Sequence, residues 1–433
     1  MPHLLSGRRT VLVFWILAFA AIAAWVAFDQ TGWDVGVYRK AIYSLQAGHD
    51  PYADAMAIQR LVHAHPELGT AGSPPYSYVY SPITLPLLRL IGILPLWLSG
   101  SGYWLLYIAG VLAQIWFGMR FVEASERPYF VYLAPAAAFF PGLLVNGIVL
   151  GGNIAYILYP LMLLAALAGW RRGKWSWFYL AVLAASCVKA PLLSLAAIPL
   201  FSARRQWIPA GATAAAGIAL FVTQPLLWPT LFHHYLEAVE LQFSFNRDFG
   251  SSPAGIFSDL LYSRGIPYSP ASLIFYLLYA IPLFASLVYL SRRFLRGDFA
   301  LQQWVPVLLV GMILFNPRII EYDAAPLTIP LALIGWRLFR SFAHTPRRTI
   351  VGFALFFGVA NGIALTSWDV WKLTECPLLL LFFAAGSWNL LKQSTAHSAK
   401  EGVLIPGGFT ATRKRSAYSI TVAEDNAGTL VEQ

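Results

Sequence analysis

Charge is what this chain has least of. Only 12% of its 433 residues are Asp, Glu, Lys or Arg, 58% are hydrophobic, and the mean hydropathy is +0.61. Soluble globular chains carry about 25% charged residues, so the composition excludes a soluble enzyme and a disordered scaffold alike. Cysteine is nearly missing: Cys187 and Cys376 each stand alone in apolar sequence, which excludes a disulfide framework. The chain has no glycine-rich phosphate loop, no CxxC pair and no nucleophile elbow. His63-Ala64-His65 and His233-His234 lack the further ligands of a zinc site, so neither a metal nor another cofactor is expected. Acidic residues number 20 against 30 basic ones, a net charge of +10. In a soluble protein that excess would raise nucleic acid as a partner. Here the basic residues fall in short clusters between apolar runs, which is a topology signal. Anionic membrane lipids suit the pattern, and nucleic acid does not.

What the sequence does have is apolar runs as long as a bilayer is thick. The expected fold is all-α: a polytopic membrane helix bundle whose backbone polar groups are satisfied within helices. The run 11–28 follows Arg8 and Arg9 and lacks a small-residue cleavage site, which reads as a retained span with a cytoplasmic N-terminus. Basic clusters at Arg171-Arg172, Arg204-Arg205, Arg292-Arg293, Arg337 with Arg340, and Arg413-Lys414-Arg415 are expected in the cytoplasm. Alternation between them gives about 12 spans in residues 1–391, with both termini cytoplasmic in a plasma-membrane protein. Parity decides two places. The stretch 176–201 crosses twice or turns back at Lys189-Ala190-Pro191, where the proline breaks a helix. The run 82–98, with Pro82, Pro86, Arg89 and Pro95, is expected to lie at the outer face without spanning. Residues 34–47 and 54–65 have helical amphipathic spacing and read as surface helices of the first outer segment. A further amphipathic stretch falls within the outer segment 225–270, and Trp368 to Glu375 reads as an outer connection. Residues 392–433 are polar and aperiodic and read as a disordered cytoplasmic tail. No internal repeat of a transporter kind is visible.

Four places could carry chemistry, and this topology puts all of them on the outer side. Asp34, in Thr31-Gly32-Trp33-Asp34-Val35-Gly36-Val37-Tyr38, directly follows the first span. A carboxylate there is either a helix cap or a general base toward a sugar hydroxyl, with Tyr38 beside it. Tyr76-Ser77-Tyr78-Val79-Tyr80-Ser81-Pro82 is either an interfacial aromatic belt or a sugar-binding floor. Lys189, deep in apolar sequence, either snorkels or meets a phosphate. Asn316-Pro317-Arg318-Ile319-Ile320-Glu321-Tyr322-Asp323 sets an arginine and two acids between two spans. Arg318 would hold a phosphate and Glu321 or Asp323 would share acid–base work, or the charges would pair among themselves. Gly151-Gly152-Asn153 opens a helix on the same side, where packing is the commoner role.

Taken in order, these motifs resemble the GT-C polyprenyl-phosphate-dependent mannosyltransferases, glycosyltransferase family 87, the PimE-like enzymes. The resemblance runs over about 29–335. It rests on Asp34-x3-Tyr38, Gly48-His49-Asp50-Pro51-Tyr52, Tyr78-x-Tyr80-Ser81-Pro82, Gly151-Gly152-Asn153, Lys189-Ala190-Pro191, Asn246 to Ser252, and Asn316-Pro317. It implies transfer of a hexosyl, usually mannosyl, residue from a polyprenyl-phosphate-linked donor to a lipid or glycan acceptor at the outer face. Asp34 then takes the place of the catalytic carboxylate. Tyr38, Tyr52, Tyr80, Asn153, Lys189, Asn246, Arg247, Arg318 and Tyr322 take substrate-binding places. The mycobacterial branch carries histidines in the later outer turn, where this chain reads Glu321-Tyr322-Asp323, so a phosphatidylinositol mannoside acceptor is not implied. The competing function is a transporter or flippase of a lipid-linked or polar solute, which would gather its charges near mid-membrane around broken helices.

Overall fold

The computed structural model describes residues 33–65, 78–130, 151–244, 249–266, 270–343, 345–364 and 366–402. The run 11–28, most of the run 128–143, and residues Asn246 and Arg247 lie outside the described residues, as do 403–433. Among the described residues all regular structure is helical, and four helices are long and apolar enough to cross a membrane: Leu98–Met119, Trp207–Leu227, Pro270–Arg296 and Asp369–Lys392. Their outward faces carry large exposed apolar side chains such as Ile208, Leu226, Leu278 and Trp388, a surface suited to hydrocarbon rather than water.

The two amphipathic stretches form α1 (Trp33–Gln46) and α2 (Ala53–Ala64). Val35, Tyr38 and Ala41 make the buried stripe of α1 at helical spacing. The run 82–98 is not one element. A 3-10 turn at Pro82–Thr84 leads into α3 (Leu85–Ile93), the chain is extended at Leu94, and Pro95 then starts α4 (Leu96–Met119). At 9 residues, α3 is about 14 Å long, too short to cross a bilayer.

Helices then run between two ends of the bundle. α5 (Ala155–Arg172) begins beside Asn153 and finishes in Arg171-Arg172, with Gly173 left-handed at its C-cap. α6 (Ser176–Val188) returns to Lys189, where the backbone is extended (φ −129°, ψ 96°). The chain folds back through a 3-10 segment (Ala190–Ala197) and α7 (Ile198–Ser202) toward Arg204-Arg205. The break has a definite cause. Pro191 has no N–H to give the Cys187 carbonyl four residues earlier, and that carbonyl instead accepts a 3.3 Å hydrogen bond from the Ser81 hydroxyl.

α8 (Trp207–Val222), α9 (Gln224–Leu227), α10 (Pro229–Ser244) and α11 (Pro253–Ser263) lead to α12 (Pro270–Arg296). α13 (Leu301–Leu314) runs to the turn at Asn316–Ile320, and the short α14 (Glu321–Ala324) and a 3-10 turn join it to α15 (Thr328–Phe342). α13 and α15 pack in the main core with Trp304, Leu308, Leu333 and Phe353. α16 (Pro346–Ala364) and α17 (Trp368–Gly402) close the bundle. Trp368 to Glu375, read from sequence as a connection, is the first two turns of α17: Ser367 Oγ accepts from the Val370 N–H at 3.2 Å, and Asp369 in the first turn pairs with Lys372 at 2.9 Å. The helix also runs past 392 to Gly402, further into the polar segment than the sequence pattern suggests.

The candidate functional site

At the end of the bundle away from Arg171-Arg172 and Arg204-Arg205, α1, the Tyr80 loop, the start of α5, the Lys189 break, α10 and the 316–323 turn surround one cavity of about 250 Å³. Asp34, Tyr80, Asn153, Lys189, Arg318, Tyr322 and Asp323 all line it. Six sequence regions nearly 290 residues apart at the extremes (34 to 323) thus supply one surface.

Asp34 sits in the first turn of α1, half-buried, where the helix N-terminus favours an anion. Its carboxylate lies against the Gly151-Gly152 turn: a Cβ on Gly151 would come 3.4 Å from Asp34 Oδ2. Gly152 is held by conformation and space together. Its φ is +72°, and a Cβ there would meet Val35 Cγ2 at 2.4 Å and the Trp104 ring at 3.0 Å. Tyr103 donates a short hydrogen bond to the Gly152 carbonyl. The α1 backbone that carries Asp34 is therefore seated directly on this turn.

Asn153 follows. Its Oδ1 accepts from the Ala155 N–H at 2.9 Å, an Asx turn leading into α5, and from Lys189 Nζ at 3.3 Å. Lys189 Nζ lies 3.7 Å over the Tyr322 ring and 3.9 Å from Asp323 Oδ1. The sequence leaves Lys189 between snorkelling and meeting a phosphate; the fold gives it an internal carboxylate as well. Asp323 is itself occupied. Its Oδ1 accepts from the Tyr159 hydroxyl at 3.3 Å, and its Oδ2 accepts from the Ile320 N–H at 3.2 Å, closing the first turn of α14. Glu321 starts that turn.

Arg318 faces the cavity from a clamped loop. Its N–H donates to Asn316 Oδ1 at 3.1 Å, and its guanidinium lies 5.6 Å from the Phe243 ring centre. The clamp is the segment Gly250-Ser251-Ser252. Ser251 N–H donates to the Ile319 carbonyl at 2.7 Å, and Ser252 Oγ donates a short bond to the Pro317 carbonyl while capping α11 by accepting from Gly255 N–H at 2.8 Å. Gly250 has φ +77°, and a Cβ on it would strike the Ile319 carbonyl oxygen at 2.2 Å. A serine before a proline is a helix-cap signal, but its grip on the Arg318 turn leaves no local sequence pattern.

The tyrosines divide. Tyr80 reaches the cavity, while Tyr38 and Tyr52 stand behind it in a buried cluster with Tyr78. Tyr38 and Tyr80 share a 2.7 Å hydroxyl–hydroxyl bond, Tyr38 accepts from Ile154 N–H at 3.2 Å, and Tyr52 donates to the Tyr80 carbonyl at 2.7 Å. Burial, followed by the neighbouring Tyr80, Tyr103 and Asp34, pushes the Tyr38 hydroxyl well above the ordinary tyrosine range. Burial and then Asp34 do the same for Tyr80. The motif is thus an internal hydrogen-bonded wall, presenting one ring to the cavity. Tyr235, Gln242 and Phe243 of α10 also line it, and no sequence pattern singled them out. α10 is fastened to the α1–α2 connection by His234 Nδ1 against Asp50 Oδ2, and to α2 by Arg60 with Glu237 at 3.0 Å.

Among the described residues no three His, Cys, Asp or Glu side chains gather as a metal-binding group. No family model, curated protein or solved structure matches this chain.

Proposed function

We propose that this protein is an integral membrane glycosyltransferase that moves a hexosyl, in first place mannosyl, residue from a polyprenyl-phosphate-linked donor to a lipid or glycan acceptor at the extracytoplasmic face. The observation that supports this most is the shared cavity, lined by two carboxylates, Asp34 and Asp323, and two cations, Lys189 and Arg318, with Asp323 already paired to Lys189. That is the charge set of a single displacement at an anomeric carbon. Asp34 takes the proton of the acceptor hydroxyl as its oxygen attacks from the face opposite the phosphate. The bond from the anomeric carbon to the phosphate oxygen breaks, and the electron pair leaves with the polyprenyl phosphate. Lys189 and Arg318 stabilise that departing charge, so no acid need protonate it. Configuration inverts. Tyr80 and Tyr322 offer ring faces and hydroxyls to the sugar, and the apolar outer surface of the bundle leaves the donor's tail in lipid.

The broken helix at Lys189 also suits a transporter, in which discontinuous helices bind solute. The charges gather at one end of the helices rather than midway along them, which favours the enzyme.

The deciding experiment uses membranes expressing wild type or Asp34→Asn with labelled short-chain polyprenyl-phosphate-mannose and a mixed lipid extract. Transfer by wild type that the folded variant lacks is the expected result. Equal transfer by both removes Asp34 as the base. No transfer by wild type from the mannosyl or the corresponding glucosyl donor, with donor uptake into sealed vesicles, establishes the transporter instead.

A further inference from the structure

A second cavity is larger than the one just discussed. About 710 Å³ in volume, it is a groove between α7, the start of α8, α12 and α13. That lies within the roughly 300–1,000 Å³ of small-molecule sites. Its walls are apolar, with Leu200, Phe284, Val288, Leu295 and Met312 among them, and Phe284 is 50% exposed on the outside of the bundle. One end is different: Arg204, Arg205 and Arg292 meet there beside the exposed Trp207. From Tyr276 at the other end to Arg292, α12 rises about 24 Å, close to the depth of one bilayer core of about 30 Å.

Two further observations tie the arginines to the groove. Arg204 donates to the Leu295 carbonyl at 3.2 Å, so its guanidinium bridges the mouth from the α7–α8 turn to the end of α12. Arg205 has φ +60° and is the one non-glycine residue with positive φ among the described residues. A bulky L-residue adopts that conformation only under structural demand, and here it puts a second guanidinium at the mouth. Interfacial arginines that merely snorkel need neither a groove nor a strained backbone.

We propose that this groove binds an anionic phospholipid of the leaflet that meets Arg204, Arg205 and Arg292. The three guanidiniums take the head-group phosphate, Trp207 sits at the level of the glycerol backbone, and one acyl chain fills the channel along α12. Charge complementarity at one end and an apolar channel of membrane depth select an anionic lipid over a zwitterionic one. The site lies at the basic end of the helices, apart from the cavity of Asp34, and does not depend on the glycosyl-transfer reading.

The test is native mass spectrometry of the full chain purified in detergent with phosphatidylglycerol or phosphatidylcholine of identical acyl chains. Wild type should retain one phosphatidylglycerol in preference to phosphatidylcholine. Joint replacement Arg204→Gln, Arg205→Gln and Arg292→Gln should reduce that retention about ten-fold. The same replacement at Arg340, Arg347 and Arg348, which do not line the groove, should leave it intact. Val288→Trp fills the channel with every charge kept and should also reduce retention, which decides the matter if the arginine variant does not fold. Equal retention of the two lipids by wild type, undiminished retention in Val288→Trp, or equal loss in the Arg340 set overturns the proposal.

Discussion

The ammonium of Lys189 stands 3.9 Å from the carboxylate of Asp323, within one cavity, with the Tyr322 ring beneath it and Asn153 at its side. Both side chains are nearly buried, at 14% and 8% exposure, so removing the carboxylate leaves a poorly hydrated cation. Asp323 also holds Ile320 N–H and the Tyr159 hydroxyl. In the proposed reaction it is a positioning residue for Lys189 and for the turn behind Arg318, and Asp34 is the proton acceptor. Asp323→Asn should therefore destabilise the protein by about 1–3 kcal/mol and change the donor KM while some transfer remains. Asp34→Asn should lower kcat by about 10²–10⁴-fold at unchanged thermal stability. Unfolding temperatures in detergent with steady-state kinetics of both variants check this. The opposite pattern, a dead but stable Asp323→Asn beside an active Asp34→Asn, would transfer the base to Asp323.

The two cations should act on the donor rather than the acceptor. A charge-assisted hydrogen bond contributes about 1.5–3 kcal/mol, so Lys189→Met and Arg318→Met should each raise the donor KM or lower kcat/KM for the donor by about 10–150-fold. The acceptor KM should hardly change. Lys189→Arg should restore only part of the loss, because a planar guanidinium does not fit the site between Asn153 and the Tyr322 ring as a compact ammonium does. An effect confined to the acceptor would place the phosphate elsewhere.

Gly152 and Gly173 separate backbone strain from crowding. Both have positive φ, +72° and +68°, but a Cβ at Gly173 meets nothing within 4 Å whereas one at Gly152 strikes Val35 and Trp104. Gly173→Ala should destabilise by about 1–2 kcal/mol from conformation alone. Gly152→Ala should destabilise by about 2–5 kcal/mol, conformation and overpacking together, and should reduce transfer as well, since α1 moves with Val35. Equal melting shifts for the two would show that α1 yields freely.

Much of this site was legible because chemistry stands out in so apolar a sequence. Asp34, Lys189 and Arg318 are conspicuous where charge is scarce, and the proline after Lys189 marks a break that the fold contains. Tyr38 and Tyr52 are expected at the substrate and stand behind the cavity instead, because a tyrosine reads the same whether its hydroxyl faces a sugar or, as here, a neighbouring hydroxyl and a carbonyl. The Asp323–Lys189 pair spans 134 positions, and Gly250 touches Ile319 across 69; such contacts leave no local pattern. The run 82–98 reads in sequence as one non-spanning element; its prolines do not say where it ends, and the extended Leu94 before Pro95 divides it, so that its last residues open α4.

The tyrosine wall gives a pH dependence of definite sign. Burial, ahead of every other cause, raises the hydroxyl pKa values of Tyr38, Tyr52, Tyr78 and Tyr80 in the folded protein, while an unfolded tyrosine titrates near 10. A raised folded value means that the folded state keeps protons which the unfolded state loses. The contribution is thus complete below about pH 10 and is lost as pH rises from there through the folded values. Over neutral pH these hydroxyls stay protonated and the wall should be indifferent to pH, so any neutral-range change in transfer rate arises elsewhere in the site. Alkaline titration should show part of the phenolate absorbance of the 21 tyrosines appearing only together with unfolding. Tyr52→Phe leaves the Tyr80 carbonyl without its 2.7 Å donor, and should lower stability at neutral pH by about 1–2 kcal/mol while making the alkaline fall shallower. Phenolate from all the tyrosines near pH 10 in a protein that remains folded would show that water reaches the wall.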